Sequence, residues 1–327
     1  MAQVFVTGAT GFVGANLVRL LLAQGHRVRV LVRPQSHTAS LEGLPVEQVV
    51  GDLFSPELPD YLAGCEGLFH VAAHYSLWRR DRELLYRVNV LGTRQVLAAA
   101  RQAGVPRVVY TSSVAAMGVG KRGEVVDETH QSPVGQLVGH YKKSKYWAEQ
   151  EAFQAVAQGQ DVVIVNPTTP IGPWDSKPTP TGEIILRFLR RQMPAYVNTG
   201  LNFIPVQDVA WGHLLAWQRG QTGRRYILGH TNLSLRAFFQ RLARVTGLPA
   251  PRFSIPLAIP LAAAWLDEMV LSRLGKTPSL AFDSVRMAGQ TMYYDSRRAI
   301  QELGLPQSDL DQALREAVNW FRQHGKV

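Results

Sequence analysis

The sequence predicts a doubly wound α/β fold, with a mainly parallel sheet followed by a smaller, mostly helical C-terminal lobe. Three observations carry this: short apolar runs recur through the first half, helical-period segments separate them, and a glycine-rich turn joins the first run to the first helix. Strands covered by helices on both faces read as unbroken Val, Ile and Leu, whereas half-exposed strands alternate. Val4–Thr7 is such a run, and Asn16–Ala23 has helical spacing of Val and Leu. Further strands are predicted at Val28–Val32, Val46–Val50, Leu68–Val71, Val108–Thr111 and Val162–Val165, with long helices at Glu83–Ala103 and Tyr141–Ala157. Beyond Asn166, Pro167, Pro170, Pro173, Pro178 and Pro180 punctuate the chain too often for regular helix and mark a change of organisation. Residues 1–166, with 206–229 expected to return, form the first domain, and 167–327 form mainly the substrate-binding lobe. Beyond residue 166, Ile184–Arg191, Asp208–Trp217, Leu235–Thr246 and Leu310–Phe321 read as helices.

Composition narrows the class. Of 327 residues, 46% are apolar and 18% charged, which excludes a disordered chain. One cysteine, Cys65, rules out an internal disulfide framework or cysteine-rich metal site and points to a reducing, cytoplasmic setting; no metal is expected. The N-terminus lacks the pattern of a secretion signal. The longest apolar tract, Ile255–Leu271, contains Pro256, Pro260, Asp267 and Glu268, so no membrane span is expected. The formal charge of +10 comes from scattered arginines such as Arg79, Arg80 and Arg82 or Arg187, Arg190 and Arg191. Without a long basic block or interleaved aromatics, nucleic acid is not an expected partner. Weak peripheral contact with anionic lipid is compatible with the apolar stretch 256–272 between Arg252 and Arg273.

Gly8, Gly11 and Gly14 stand three apart between a predicted strand and helix. Gly8 allows a tight turn, Gly11 lets backbone approach a pyrophosphate, and Gly14 permits close packing of helix on strand. Free N–H groups at the helix start then face the anion, so a dinucleotide cofactor is expected in a Rossmann-type domain. At the end of the second strand, Arg33 stands where an acid would meet ribose hydroxyls. A guanidinium binds a 2′-phosphate, which favours NADP over NAD. Asp52, after the third strand, is either an adenine contact or a plain turn carboxylate.

Tyr141 and Lys145 are four residues apart and share a helix face. Lowering a phenol by roughly three pKa units takes about 4 kcal/mol. An ammonium at about 4 Å supplies about that much at an effective dielectric near 20, so the pair suits acid/base work. Ser113, at the end of the fifth strand, is placed to orient a substrate oxygen, with Ser112 the alternative.

Taken together, Thr7 through Gly14, Asp52-Leu53, His70-Val71-Ala72-Ala73, Thr111-Ser112-Ser113 and Tyr141 through Lys145 resemble the extended short-chain dehydrogenase/reductases, the NAD-dependent epimerase/dehydratase family. Asn166 through Pro173 and Met193 through Gly200 look like hopanoid-associated sugar epimerases and dihydroflavonol 4-reductases within that family. The resemblance implies catalytic Ser113, Tyr141 and Lys145. It also implies cofactor contacts from Thr10, Phe12, Val13, Leu53, Ala72, Ala73, Pro167 and Thr168, and a homodimer through the two long helices. Val114 and Ala115 replace the Asp-Glu pair of the sugar dehydratases, so elimination is not expected. His70 is read as a packing residue. His74, Tyr75 and Trp78 follow the fourth strand, where substrate would lie. The first expectation is therefore an NAD(P)-dependent epimerase acting on a sugar linked to hopanoid or lipid-glycan metabolism, by hydride transfer at a carbinol. Net reduction of a ketone by NADPH is the alternative, and a non-catalytic dinucleotide sensor a third.

Overall fold

The computed structural model describes residues 1–121, 123–273 and 282–327, with the side chains of 268–273, Arg273 included, outside the described set. Its centre is a seven-stranded sheet of β1 (Gln3–Thr7), β2 (Arg27–Val32), β3 (Val46–Val50), β4 (Gly67–His70), β5 (Val108–Thr111), β6 (Val162–Pro167) and β7 (Arg225–Leu228). The spatial order is β3-β2-β1-β4-β5-β6-β7, and every neighbouring pair is parallel. The chain builds outward from β1 to β3, then crosses to β4 on the other side. β1 and β4 thus flank the switch point where such sheets bind ligands.

Alternation along each strand feeds two cores. Val4 and Val6 point into one with Leu17, Leu21, Val163 and Leu214; Phe5 points into the other with Leu97, Tyr110, Ala148 and Ile164. The first core is closed by α1 (Phe12–Ala23) and the second by α2 and α3 (Gly139–Ala157). The helix α4 (Val206–Arg219) lies with α1, and β7 follows it back into the sheet. The predicted helix Glu83–Ala103 is instead composite: α2 runs from Arg82–Leu85 through a π-helical stretch, Tyr86–Leu91, into Gly92–Gln102.

The lobe contains the helices Pro180–Leu189, Leu235–Thr246 and Leu310–Gln323 around an aromatic core, in which Phe203 and Phe238 stack with centroids 4.3 Å apart. It also carries strands the periodicity did not disclose. Gly200–Pro205 pairs with Thr231–Ser234 and Thr169–Ile171, and Ala195–Val197 pairs with Phe253–Ile255. Apart from the six-residue Gly200–Pro205, these are runs of three or four residues, some as polar as Thr-Asn-Leu-Ser, too short to show a period of two. The apolar tract forms the helix Ala258–Arg273, on which Ile259, Trp265 and Leu266 are exposed. Among the described residues no helix is long and apolar enough to cross a membrane.

Candidate active site

Parallel strands end at one edge, and the turns leaving β1, β2, β3, β4, β5 and β6 bring Gly8, Arg33, Asp52, Ala72, Ser113 and Thr168 to it. The glycine turn is sterically exact in two places. Gly8 has φ +72°, and a Cβ there would lie 2.6 Å from the Ala72 nitrogen; one on Gly14 would lie 2.2 Å from the Gly8 carbonyl oxygen. Gly11 donates its N–H to Gly8 O at 3.0 Å and accepts from Ala15 N–H at 2.8 Å. The N–H groups of Phe12, Val13 and Gly14 precede that first helical bond, and Gly11 offers no side-chain cap. This cradle fits a pyrophosphate, for which unsatisfied N–H groups at the positive end of a helix are the natural partners.

Around the cradle, Thr7 Oγ1 meets His70 Nδ1 at 2.7 Å and accepts the Ala72 N–H at 3.2 Å. His70 is wholly buried, also touches Thr93 Oγ1 at 3.0 Å, and is driven down to about 3 by burial and then by Lys145, so it is neutral at pH 7. Thr10 carries its carbonyl to Ser40 Oγ at 3.4 Å. Arg33 is exposed and, among the described residues, forms no ion pair. Asp52 Oδ1 accepts the Phe54 N–H at 2.8 Å, which places one of its oxygens in a turn. The Leu53 side chain is buried against Gly92, leaving only its backbone to a ligand. Ala73 is exposed, while Pro167 is buried at the end of β6, paired with Leu228, and Thr168 donates its N–H to Leu228 O at 3.0 Å.

The structure brings Ser113, Tyr141, Lys145 and Tyr75 together. Ser113 caps the short helix Val114–Met117, its Oγ accepting the Ala115 N–H at 3.1 Å. The same hydroxyl is close enough to the Tyr141 phenol to draw it down. Ser112 is not the partner: its N–H goes to Val165 O at 2.8 Å, and its buried Oγ has no hydrogen bond among the described residues. Tyr75 sets its ring edgewise on Tyr141 with centroids 4.5 Å apart. The backbone of His74 is held at both N–H and C=O by Asn89, at 2.7 and 2.9 Å, while its buried Nε2 has no hydrogen bond among the described residues. Trp78 only heads the turn Arg79–Asp81, its N–H on Ser76 Oγ at 3.1 Å.

The electrostatic expectation is corrected. Burial pushes Tyr141 up to about 12, and the group drawing it down is Ser113 rather than Lys145. The reason is where the ammonium points: Lys145 Nζ donates to Thr111 O at 2.9 Å and to Tyr110 OH at 3.3 Å. Burial lowers Lys145 itself to about 8, offset by Glu149 one turn along the helix. Residues the sequence did not single out complete the site. Glu149, also buried, accepts from Asn166 Nδ2 at 2.8 Å and from Arg225 at 3.1 Å, and the same Asn166 nitrogen donates to Ser113 O at 3.1 Å. They come from α3, β6 and β7, and nothing in their spacing announces the convergence. Asp208, on α4, is buried and binds Ser308 through N–H and Oγ at 2.8 and 2.6 Å.

A pyrophosphate cradle at the β1/β4 switch point, with a serine-oriented phenol and a lysine beside it, defines a dinucleotide-dependent oxidoreductase. The chain belongs to the NAD dependent epimerase/dehydratase family, whose model matches residues 4–229. It is 64% identical to a Synechocystis protein provisionally named dihydroflavonol 4-reductase, over 99% of this chain and 95% of that one. It is 39% identical to sterol demethylase protein B of Methylococcus capsulatus, over 98% of this chain and 99% of that one. Among solved structures, a nucleoside-diphosphate-sugar epimerase from Pseudomonas aeruginosa superposes with a TM-score of 0.84 at 29% identity, over 99% of both chains. The protein is thus an NAD(P)-dependent enzyme of the extended short-chain dehydrogenase/reductase group.

Proposed function

We propose that the protein reduces a ketone to a secondary alcohol with NADPH. The observation that carries this reading is geometric: Tyr141 stands with Ser113 at the edge that holds the glycine cradle, Tyr75 walls it edge-on with centroids 4.5 Å apart, and burial keeps its phenol protonated as a proton donor. Reduction of a carbonyl needs one hydride and one proton. Bound NADPH supplies the hydride; Arg33 and the N–H groups of Phe12, Val13 and Gly14 would hold its phosphates. Tyr141 donates its O–H proton to the carbonyl oxygen as negative charge grows there, and Ser113 orients that oxygen. The phenolate left behind is favoured by Ser113, the group that draws the phenol down. Tyr75, edge-on to Tyr141, gives the substrate an aromatic wall suited to a flat or apolar body. The 64% identical relative provisionally named dihydroflavonol 4-reductase supports the same reading.

Tyr141→Phe tests the reading: turnover with a ketone should fall about 10²- to 10⁴-fold, while NADPH affinity, followed by fluorescence, stays within about threefold. A variant as active as the parent would remove the proposed chemistry. The second reading is a sugar epimerase, favoured by the likeness to the Pseudomonas aeruginosa enzyme. NAD that stays bound through purification would support it, whereas freely exchanging NADPH supports net reduction. In Arg33→Asp the preference should swing from NADPH toward NADH by about tenfold or more; an unchanged ratio would separate Arg33 from the phosphate.

A further inference from the structure

Lys142 follows Tyr141 on α3 and its side chain is 4% exposed. Among the described residues its ammonium has one hydrogen-bond partner, Oε1 of Gln290 at 2.9 Å, and that partner is neutral. An ammonium carries three donors, and a buried cation without a counter-charge is costly enough that such groups are normally paired. Here burial alone acts on it, lowering it to about 8, with no carboxylate offsetting the effect.

The ammonium borders a cavity of about 220 Å³ lined by Gly118, Gly120, Ser132, Gln136, Lys142 and Gln290, among others. The space depends on glycine: Gly118 has φ +87°, and a Cβ there would lie 2.2 Å from Ser132 Oγ. Among the described residues two carboxylates stand near the rim, and each has another partner: Glu124 Oε2, beside Gly120, accepts the Lys121 N–H at 2.7 Å, and Asp283, against Gly139, faces Arg286 at 3.8 Å. Val138, another lining residue, is the N-cap of α3 and brings no side-chain cap, so the positive end of a 19-residue helix adds to the same field. The lining is joined to the catalytic groups along the chain. Ser113 caps the helix Val114–Met117 that ends at Gly118, and Tyr141 directly precedes Lys142.

We propose that this cavity is an anion subsite that takes a carboxylate or phosphate ester carried by the substrate whose carbonyl meets Tyr141. A small pocket holding a lysine and two glutamine amides suits a compact anion. The assignment of the anion to the substrate rests on the ketone-reductase reading, but binding of an anion by Lys142 does not.

The test uses the full chain saturated with NADP⁺, so that the phosphate cradle near Gly11 is filled. Acetate and inorganic phosphate are titrated separately by calorimetry at pH 7. We expect saturable binding of one of them, weakened at least tenfold in Lys142→Met and falling as the pH rises past 8. Acetate binding assigns a carboxylate and phosphate binding a phosphate ester. In the parent protein, acetylation of Lys142 by acetic anhydride, read by peptide mass, should slow at least fivefold when the anion is present; this holds even if the variant does not fold. Absence of binding by both anions, equal binding by Lys142→Met, or no protection of Lys142 would overturn the proposal. Tyr141→Phe separates it from the reading it rests on: that variant should bind the anion as the parent does and lose only reduction. Anion binding in a protein that reduces no ketone would leave the subsite standing and remove the reductase.

Discussion

Lys145 and Glu149 show how two residues a helical turn apart set a working pH. Burial takes the ammonium down to about 8, and Glu149 is the group that keeps it from falling further. If turnover needs Lys145 charged, activity is full well below pH 8 and is lost as pH rises through that value. Glu149→Gln removes the negative charge and keeps a carbonyl for Asn166 Nδ2, so the alkaline limb of kcat/KM should move to lower pH. At pH 8 the variant should be about three- to tenfold slower, with little loss at pH 6. A loss of the same size at every pH would show that Glu149 serves only to hold Asn166 and Arg225. The Tyr141–Lys145 pair was legible because the helical period joins them. Glu149 is one further turn along, yet its meaning comes from Asn166 and Arg225, on separate strands of the sheet. The energetic reading failed at the same boundary: spacing gives shared faces, whereas which oxygen an ammonium chooses is decided by the carbonyl of Thr111 at the end of β5.

The π-helical stretch Tyr86–Leu91 does for the substrate wall what the glycine turn does for the cofactor edge. Widening the helix there presents Asn89, buried, to three groups: the N–H and C=O of His74, and Ser144 Oγ at 2.9 Å, which itself donates to Tyr141 O at 2.8 Å. One amide thus ties the loop after β4 to the helix carrying Tyr141. Insertions of this kind in a helix commonly mark functional positions. A helical period in Glu83–Ala103 could not disclose it, because one extra residue per turn leaves the apolar pattern nearly intact. Asn89→Ala breaks all three bonds and leaves buried His74 backbone unpaired, so a loss of about 2–4 kcal/mol is expected. Urea unfolding should show it, together with faster hydrogen exchange at His74 and an elevated KM. A variant as stable as the parent, with His74 still protected, would show that the loop is held by other contacts.

At the scale of the whole molecule, the two faces of the sheet are each fixed by a neutral histidine. His70 joins β1 to α2 through Thr7 and Thr93; His213, wholly buried on α4, joins that helix to β5 by Nε2 to Thr111 Oγ1 at 2.8 Å, with Nδ1 on Val209 O at 2.7 Å. The accepting nitrogen of each ring is needed by a threonine, and burial lowers His70 to about 3 and His213 to about 4 from the usual value near 6.5. Between those values and 6.5 the unfolded chain binds protons that the folded one refuses. Stability therefore rises with pH across that window, and acidification below about 6.5 draws it down by up to about 1.4 kcal/mol per pH unit per histidine. Asp175, raised by burial to about 6, works in the opposite sense, holding a proton in the folded state between its usual carboxylate value and 6, and so offsets one histidine over part of the range. The net result should be a urea midpoint that falls steadily from pH 6.5 to 4.5. His213→Gln, whose amide can serve both Thr111 and Val209, should flatten that fall while costing stability at pH 7. A midpoint that fell as steeply in the variant would assign the acid sensitivity to other groups and leave His213 a packing residue alone.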